Sequence, residues 1–287
     1  MKPSISIVMA YYTRWPQCRM TLRSLELSKQ KHNLEVIIID DGTIDEEHII
    51  KREQILEFSF PIYVHHIPAS IKNWKCPVIP FNYGLRLTRG DWVIIQNPEC
   101  CHVGDICDFV LTSCDPDEYH TLSVCVSPST RVNDQISESM GKVDQLLSFD
   151  TWYNHPVHNA WALHFCSAIH KNNLQKIGGF NNSMKEGIDW DDNEFLERDK
   201  RVVSKVNIWN PSDSHCFCIH LWHIKFTYLE NCIKSDIWSH CPRLETLKKQ
   251  NKVIFEQTKT NKKFVYANPV DPYLEAHEND IIRISNV

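Results

Sequence analysis

Glycine is scarce in this chain, with eight among 287 residues, and no G-x-G-x-x-G follows any candidate strand. That excludes a Rossmann dinucleotide site, whose glycines let the backbone approach a pyrophosphate. No run of about 18 apolar residues occurs, so no helix is expected to span a membrane. Blocks of like charge are missing too: 31 Lys and Arg are scattered among 36 Asp and Glu, for a formal net charge of −5. Such a balance lacks the electrostatic footprint of a nucleic-acid or membrane-surface binder. Internal repeats and low-complexity tracts are absent. The apolar start mimics a signal peptide, yet Pro3 and Arg14 interrupt it and no small-residue cleavage site follows. The twelve cysteines therefore read as reduced thiols of a cytoplasmic protein. A chain of this size needs no disulfide staples.

What is present is 42% hydrophobic residues, enough for one large α/β core or two small ones. Ile5 to Ala10 (ISIVMA) is a β-branched run, the signature of a buried parallel strand. A polar loop, Tyr11-Tyr12-Thr13-Arg14, follows, and then a helix from Pro16 with Met20, Leu22, Leu25 and Leu27 as its apolar positions. Leu34 to Ile39 is a second buried strand, ending in Asp40-Asp41-Gly42. A right-handed βαβ unit sets that first loop and both aspartates at one sheet edge. There, Asp40 or Asp41 could bind a ribose or a base N–H; alternatively both cap a helix around Asp45, Glu46 and Glu47.

Phe60 to Ile67 reads as a third strand, and the aperiodic stretch to Pro80, with Trp74 and Pro77, as a loop over the site. Asn82 to Thr88 is predicted helical, and Trp92 to Ile95 is a fourth strand cut short by Gln96-Asn97-Pro98-Glu99. Proline has no N–H for a sheet ladder, so Pro98 marks the strand's carboxyl end. Ligands of open α/β sheets bind just outside such ends. A carboxylate placed there, Glu99, suits a divalent cation and, through it, a nucleotide's phosphates; a plain polar turn is the alternative. Further on, Asp105 to Leu111 reads as a helix, Leu122 to Ser127 as a strand, and Arg131 to Phe149 as a surface excursion with a helical patch.

The three histidines of His155 to Cys166 read as core or hydrogen-bonded side chains. After the tight turn Gly178-Gly179 comes an acidic run, Asp189-Trp190-Asp191-Asp192-Asn193-Glu194. Acid in a first helical turn is favourable by roughly 0.3–1 kcal/mol per charge. That leaves Trp190 unexplained, and an indole beside carboxylates suits a sugar ring. Cys216, Cys218, His220 and His223 resemble part of a zinc site, but a second C-x-x-C pair is missing. A histidine completing an oxygen-rich Mg2+ or Mn2+ site with Glu99 is the preferred reading. From Phe226 through Lys249 the chain reads as helical. The polar tail beyond Asn261 packs on the body or reaches a second subunit in a homo-oligomer.

Four pieces in this order resemble a GT-A glycosyltransferase of the family 2 type: SIVMAYYTRW, VIIIDDG, NYGLRLTRGDWVIIQNPE, and IGGF followed by DDNEFLER. The match covers roughly residues 4–225. The resemblance implies an α/β, Rossmann-like fold with a mostly parallel central sheet flanked by helices. Its single catalytic domain would span residues 1–225, with a nucleotide-binding half to about 110 and an acceptor half over 111–225. Residues 226–287 would form a C-terminal helical extension and tail. Asp40 and Asp41 would contact base and ribose, with Tyr11, Thr13, Arg14, Asn82 and Asn97 also at the nucleotide. The family's Asp-x-Asp falls on Asn97-Pro98-Glu99, where both acids are changed. Glu99 can still ligate a metal, and His220 or His223 falls where related enzymes place a metal-binding histidine. Asp191-Asp192 matches a Glu-Asp pair that supplies the catalytic base; Gly179, Asp189 and Trp190 would face sugar or acceptor.

The activity so implied is inverting transfer of a sugar from a nucleotide-diphosphate donor, UDP-linked, to a hydroxyl of a glycan or glycosylated acceptor. A carboxylate would take the hydroxyl proton, while Mn2+ or Mg2+ neutralises the departing diphosphate. Two other readings stand beside it. The altered Asp-x-Asp suits a nucleotide-sugar binding module that has lost catalysis. A sugar-1-phosphate nucleotidyltransferase shares the architecture but needs a glycine-rich, arginine-bearing loop, which AYYTRWPQ does not supply.

Overall fold

The first two strands set the layering. In the computed structural model, which describes residues 2–140, 150–224, 242–261 and 270–287, β1 (Ile5–Tyr11) and β2 (Leu34–Asp40) are buried nearly end to end. Successive side chains of a strand point to opposite faces. Ile5, Ile7, Met9 and Tyr11 join one apolar core, and Val8 joins another on the far side. Helix α1 (Trp15–Leu25) covers the first face with Trp15, Cys18, Leu22 and Leu25. A short α2 (Arg52–Ile55) leads to β3 (Ile62–His66), and α3 (Val78–Leu87) covers the second face. A methyl group at Gly84 would lie 2.6 Å from Val8, so glycine is what lets α3 approach β1 closely.

Next come β4 (Trp92–Gln96), β5 (Cys100–Val103), α4 (Ile106–Ser113), β6 (Tyr119–Leu122), β7 (Val124–Val126), α5 (Thr130–Glu138) and β8 (Trp152–Asn154). They are followed by β9 (Cys166–His170), α6 (Lys171–Ile177), α7 (Asp191–Asp199), β10 (Val206–Trp209), α8 (Pro211–Ser214) and β11 (Phe217–His220). Helices α9 (Pro242–Thr260) and α10 (Pro272–Ala276) precede β12 (Ile282–Ser285).

Among the described residues the main sheet runs β10-β6-β9-β4-β1-β2-β3-β12, and a smaller one runs β5-β11-β7-β8. Strands β4, β1, β2 and β3 are mutually parallel, as are β6 and β10; β9 and β12 run antiparallel to their neighbours. The expected mostly parallel α/β sheet flanked by helices is present. No helix among the described residues is long and apolar enough to cross a membrane.

Several local expectations are corrected. Helix α3 starts at Val78, so Pro80 lies in its first turn, where the missing N–H has no intrahelical partner to lose. Asp45 to Glu47 form turns rather than a helix. The single strand expected over Leu122 to Ser127 is divided: β6 belongs to the main sheet, β7 to the small one. Of the two alternatives for the C-terminal tail, the described part packs on the body, where β12 pairs with β3 at the edge of the main sheet. Within the expected extension, α9 packs on α7. Asn251 Nδ2 donates to Asp189 O at 3.0 Å and Thr258 Oγ1 to Glu194 Oε1 at 3.0 Å. Of the helix expected from Phe226 through Lys249, residues 242–249 lie in α9; its part over 226–241, and the part of the excursion over 141–149, lie outside the described residues.

Candidate active site

The carboxyl ends of β1, β2 and β4 open into a cleft of about 200 Å³, lined by Tyr12, Arg14, Asp41, Phe81, Asn97 and Pro98 among others. Register explains the grouping: Tyr11 pairs with Asp40 and Val8 with Ile95, so the loops after all three strands emerge at one edge. Asp41 is held by Trp74 Nε1 at 2.7 Å and Lys72 Nζ at 2.7 Å. Both partners come from the segment expected to cover the site. Burial pulls the Lys72 ammonium below its ordinary pKa, against the opposing pull of Asp41. The same ammonium lies 5.2 Å from the centre of the Tyr12 ring.

Beside this cleft Glu99 meets three cations or potential cations. Arg14 Nη1 lies 2.7 Å from Glu99 Oε1, His220 Nε2 3.2 Å and His223 Nε2 3.5 Å from the same oxygen. Burial works against the Glu99 charge, but Arg14 and the two imidazoles prevail and hold its carboxyl well below the usual carboxylate range. Leu221 N donates to Glu99 O at 2.9 Å, which fixes the end of β11 against this turn. Glu99, His220 and His223 form a group that could hold a metal ion. One carboxylate and two imidazoles are ordinary first-row ligands, and Glu99 Oε2 is buried without a hydrogen-bond partner among the described residues. The donor set fits a divalent cation.

A second cluster stands at the N-terminus of α7. Asp192 Oδ1 lies 2.9 Å from His164 Nδ1, and His164, Asp191 and Asp192 converge on one spot. Burial, then the charge of Asp192, pushes the Asp191 carboxyl up to about 7. Burial lowers the His164 pKa, but Asp192 and then Asp191 outweigh it and leave it raised. This cluster reaches the cleft through Phe81, whose ring lines it and meets the His164 ring edge-on at 5.2 Å. Asn97 N also donates to Phe165 O at 3.1 Å, tying the end of β4 to the residue after His164.

Asp41, Arg14, Asn97 and the Glu99–His220–His223 group thus gather at one edge, with Asp191 and Asp192 behind Phe81. Other expected site residues are used by the fold itself. Tyr11 is buried, and its hydroxyl donates to His48 O while accepting from Arg14 N; it lines the cleft beside Tyr12. Asp40 accepts from Thr43 N and pairs with His66 Nδ1 at 2.8 Å, turned from the cleft. Asn82 donates to Phe180 O and Asn182 Oδ1 and accepts from Phe180 N, which joins α3 to the Gly178-Gly179 turn. Both glycines have positive φ, 73° and 80°, and Gly179 serves that turn. Thr13 is also left-handed, at φ 49°, and its backbone N donates to Thr43 Oγ1.

Trp190 stacks on Phe255 at 5.2 Å with Lys252 over its ring, so the indole packs on α9 rather than standing free for a sugar. Asp189 faces Lys248 of the same helix at 3.3 Å. Sequence reasoning missed His164, Lys72 and Tyr12. His164 lacked any local signal; only the antiparallel pairing of β9 with β4 brings it to this edge.

No protein-family model and no curated protein matches the chain. Solved structures do. Residues 1–349 of S. aureus TarS in complex with UDP-GlcNAc align with a TM-score of 0.54 at 12% identity, over 77% of this chain and 59% of that one. The same protein in complex with UDP aligns with a TM-score of 0.53 at 12% identity, over 76% and 60%. The chain thus spans about three-fifths of the length of these structures. The fold is that of a GT-A-like glycosyltransferase.

Proposed function

We propose that this chain transfers a sugar from a nucleotide-diphosphate donor, UDP-linked, to an acceptor hydroxyl with inversion at the sugar carbon. The carrying observation is convergence: the Glu99–His220–His223 group adjoins a cleft holding Asp41 and Arg14, and Phe81 joins that cleft to the acid pair. The likeness in fold to structures that contain UDP and UDP-GlcNAc supports the donor class.

In this reading Tyr12 and Asp41 receive the nucleoside and Arg14 meets the diphosphate, as a guanidinium suits phosphate oxygens. Glu99, His220 and His223 hold Mn2+ or Mg2+, which when bound neutralises charge on the departing diphosphate. Asp192, the more exposed of the acid pair, takes the acceptor proton as general base, oriented by His164. Asp191 stays buried beside it and holds a proton near neutral pH. One base and one displacement invert the anomeric centre.

A screen of nucleotide sugars for donor hydrolysis, with Mn2+ and Mg2+, tests this. Turnover of a UDP-sugar that vanishes in Asp192→Asn is the expected result; turnover unchanged by that substitution removes the base assignment. One observation favours a second reading. Arg14 sits on the oxygen that faces both imidazoles, where it competes with a metal, so a binding module without turnover is the alternative. Tight UDP binding with no hydrolysis of any donor selects it.

A further inference from the structure

Behind the candidate active site, between the two sheets, lies a second cluster that the transfer reaction does not use. His102, Cys166 and Cys218 each offer one ligand atom, and those atoms lie within 4.8 Å of one another. Two cross-strand pairs build it. Gln96 stands opposite Cys166 in β4 and β9, and His102 stands opposite Cys218 in β5 and β11. Gln96 Oε1 lies 2.8 Å from His102 Nε2 and 3.8 Å from Cys166 Sγ. Cys166, Cys218 and Gln96 are fully buried, and His102 is 7% exposed. The two cysteines belong to the same apolar core as Ile94, Ala168, Leu122 and Val124. Gln96 Nε2 also donates to Cys100 O at 2.7 Å, so the amide and imidazole are satisfied as buried polar groups must be and are held fixed beside the two thiols.

We propose that His102, Cys166 and Cys218 bind a zinc ion, with the Gln96 amide oxygen as fourth donor. Thiolate and imidazole ligands select zinc over Mg2+ or Mn2+, which prefer oxygen. Binding releases both thiol protons and leaves the imidazole neutral. A dication with two thiolates then carries no net charge, which suits an apolar enclosure. His102 also lines a separate cleft of about 530 Å³, together with Gly104, His215 and Phe217, so a route from solvent exists.

The ion would be structural. Each strand that donates a ligand carries an active-site candidate nearby: Glu99 just before β5, His164 two residues ahead of Cys166, His220 two residues beyond Cys218. One zinc would therefore tie together the three segments that must converge for the site to exist. The inference stands on its own geometry and survives if the transferase reading fails.

The test is a cobalt titration of the full chain, reduced and metal-stripped, without oxygen. Co2+ bound to cysteine gives thiolate-to-metal charge-transfer absorption, which the carboxylate–imidazole group at Glu99 cannot produce. The expected result is such a band, saturating at one equivalent, displaced by Zn2+, kept in Glu99→Gln and lost in Cys166→Ser and Cys218→Ser. Absence of the band in the wild type overturns the proposal, whether or not the serine variants fold. So does a band that persists in both serine variants, or a Cys166–Cys218 disulfide found by mass spectrometry of fresh protein.

Discussion

Arg14 Nη1 lies 2.7 Å from Glu99 Oε1, the carboxylate oxygen that also faces His220 and His223. A metal ion held there, as the proposed function requires, would compete with the guanidinium for that oxygen, while Glu99 Oε2 has no hydrogen-bond partner among the described residues. In the proposed function an arriving diphosphate would give Arg14 a second anion to turn to and so free Glu99 for the cation.

Arg14→Met should separate these roles. Removing the competing guanidinium raises Mn2+ affinity by about tenfold, measured by the free-ion paramagnetic resonance signal. Loss of a charged hydrogen bond weakens UDP binding by roughly 1.5–3 kcal/mol. Parallel loss of both affinities would contradict the shared-oxygen account.

The acid pair makes a kinetic prediction. Asp192→Asn lowers the transfer rate by roughly 10²–10⁴-fold, the range for a general base, with UDP affinity unchanged. Because burial and Asp192 push the Asp191 carboxyl up to about 7, its proton is lost as pH rises through that region, and the added negative charge makes the neighbouring base Asp192 stronger, so activity takes a further step upward there. In Asp191→Asn that step is absent, since the neighbouring titration is gone.

Asp199 offers a stability test away from the chemistry. It is fully buried, neither carboxylate oxygen has a hydrogen-bond partner among the described residues, and burial pushes its carboxyl up to about 7 despite Arg198. The folded chain thus keeps a proton that the unfolded chain, with a carboxyl near 3.9, has already released. Stability contributed by that proton is full below about pH 4 and is lost as pH rises to about 7. Asp199→Asn removes this dependence. Its melting temperature above pH 7 should exceed the wild type's by about 2–4 °C for each kcal/mol recovered.

Glu194 and Arg198 form a wholly buried pair one helical turn apart, at 2.9 Å. Glu194 also accepts from Asn181 and Thr258, and Arg198 donates to Ile177 O. Glu194→Ala leaves an uncompensated buried charge and costs about 3–5 kcal/mol by urea unfolding. Glu194→Leu combined with Arg198→Met costs far less. Equal losses would show that the pair's attraction, rather than its burial, dominates.

How legible all this was depended on how local the cause is. Buried runs such as ISIVMA, and Pro98 closing β4, announce the parallel strands because one strand's own residues decide them. Glu99 and one of the two histidines were expected as neighbours from their chemistry alone, and the pairing of β5 with β11 is the physical cause that brings them together. The Trp190 platform failed because α9, more than fifty residues later, covers the indole. His164 and the His102–Cys166–Cys218 cluster depend on pairings between distant strands, which no spacing rule reports.

The most direct measurement is a calorimetric titration of the wild-type chain with UDP, with and without Mn2+, repeated on Glu99→Gln. The account predicts that Mn2+ tightens UDP binding by at least about tenfold, roughly 1.4 kcal/mol, and that Glu99→Gln abolishes the gain. Absence of UDP binding, or a Mn2+ effect that survives in Glu99→Gln, would contradict it.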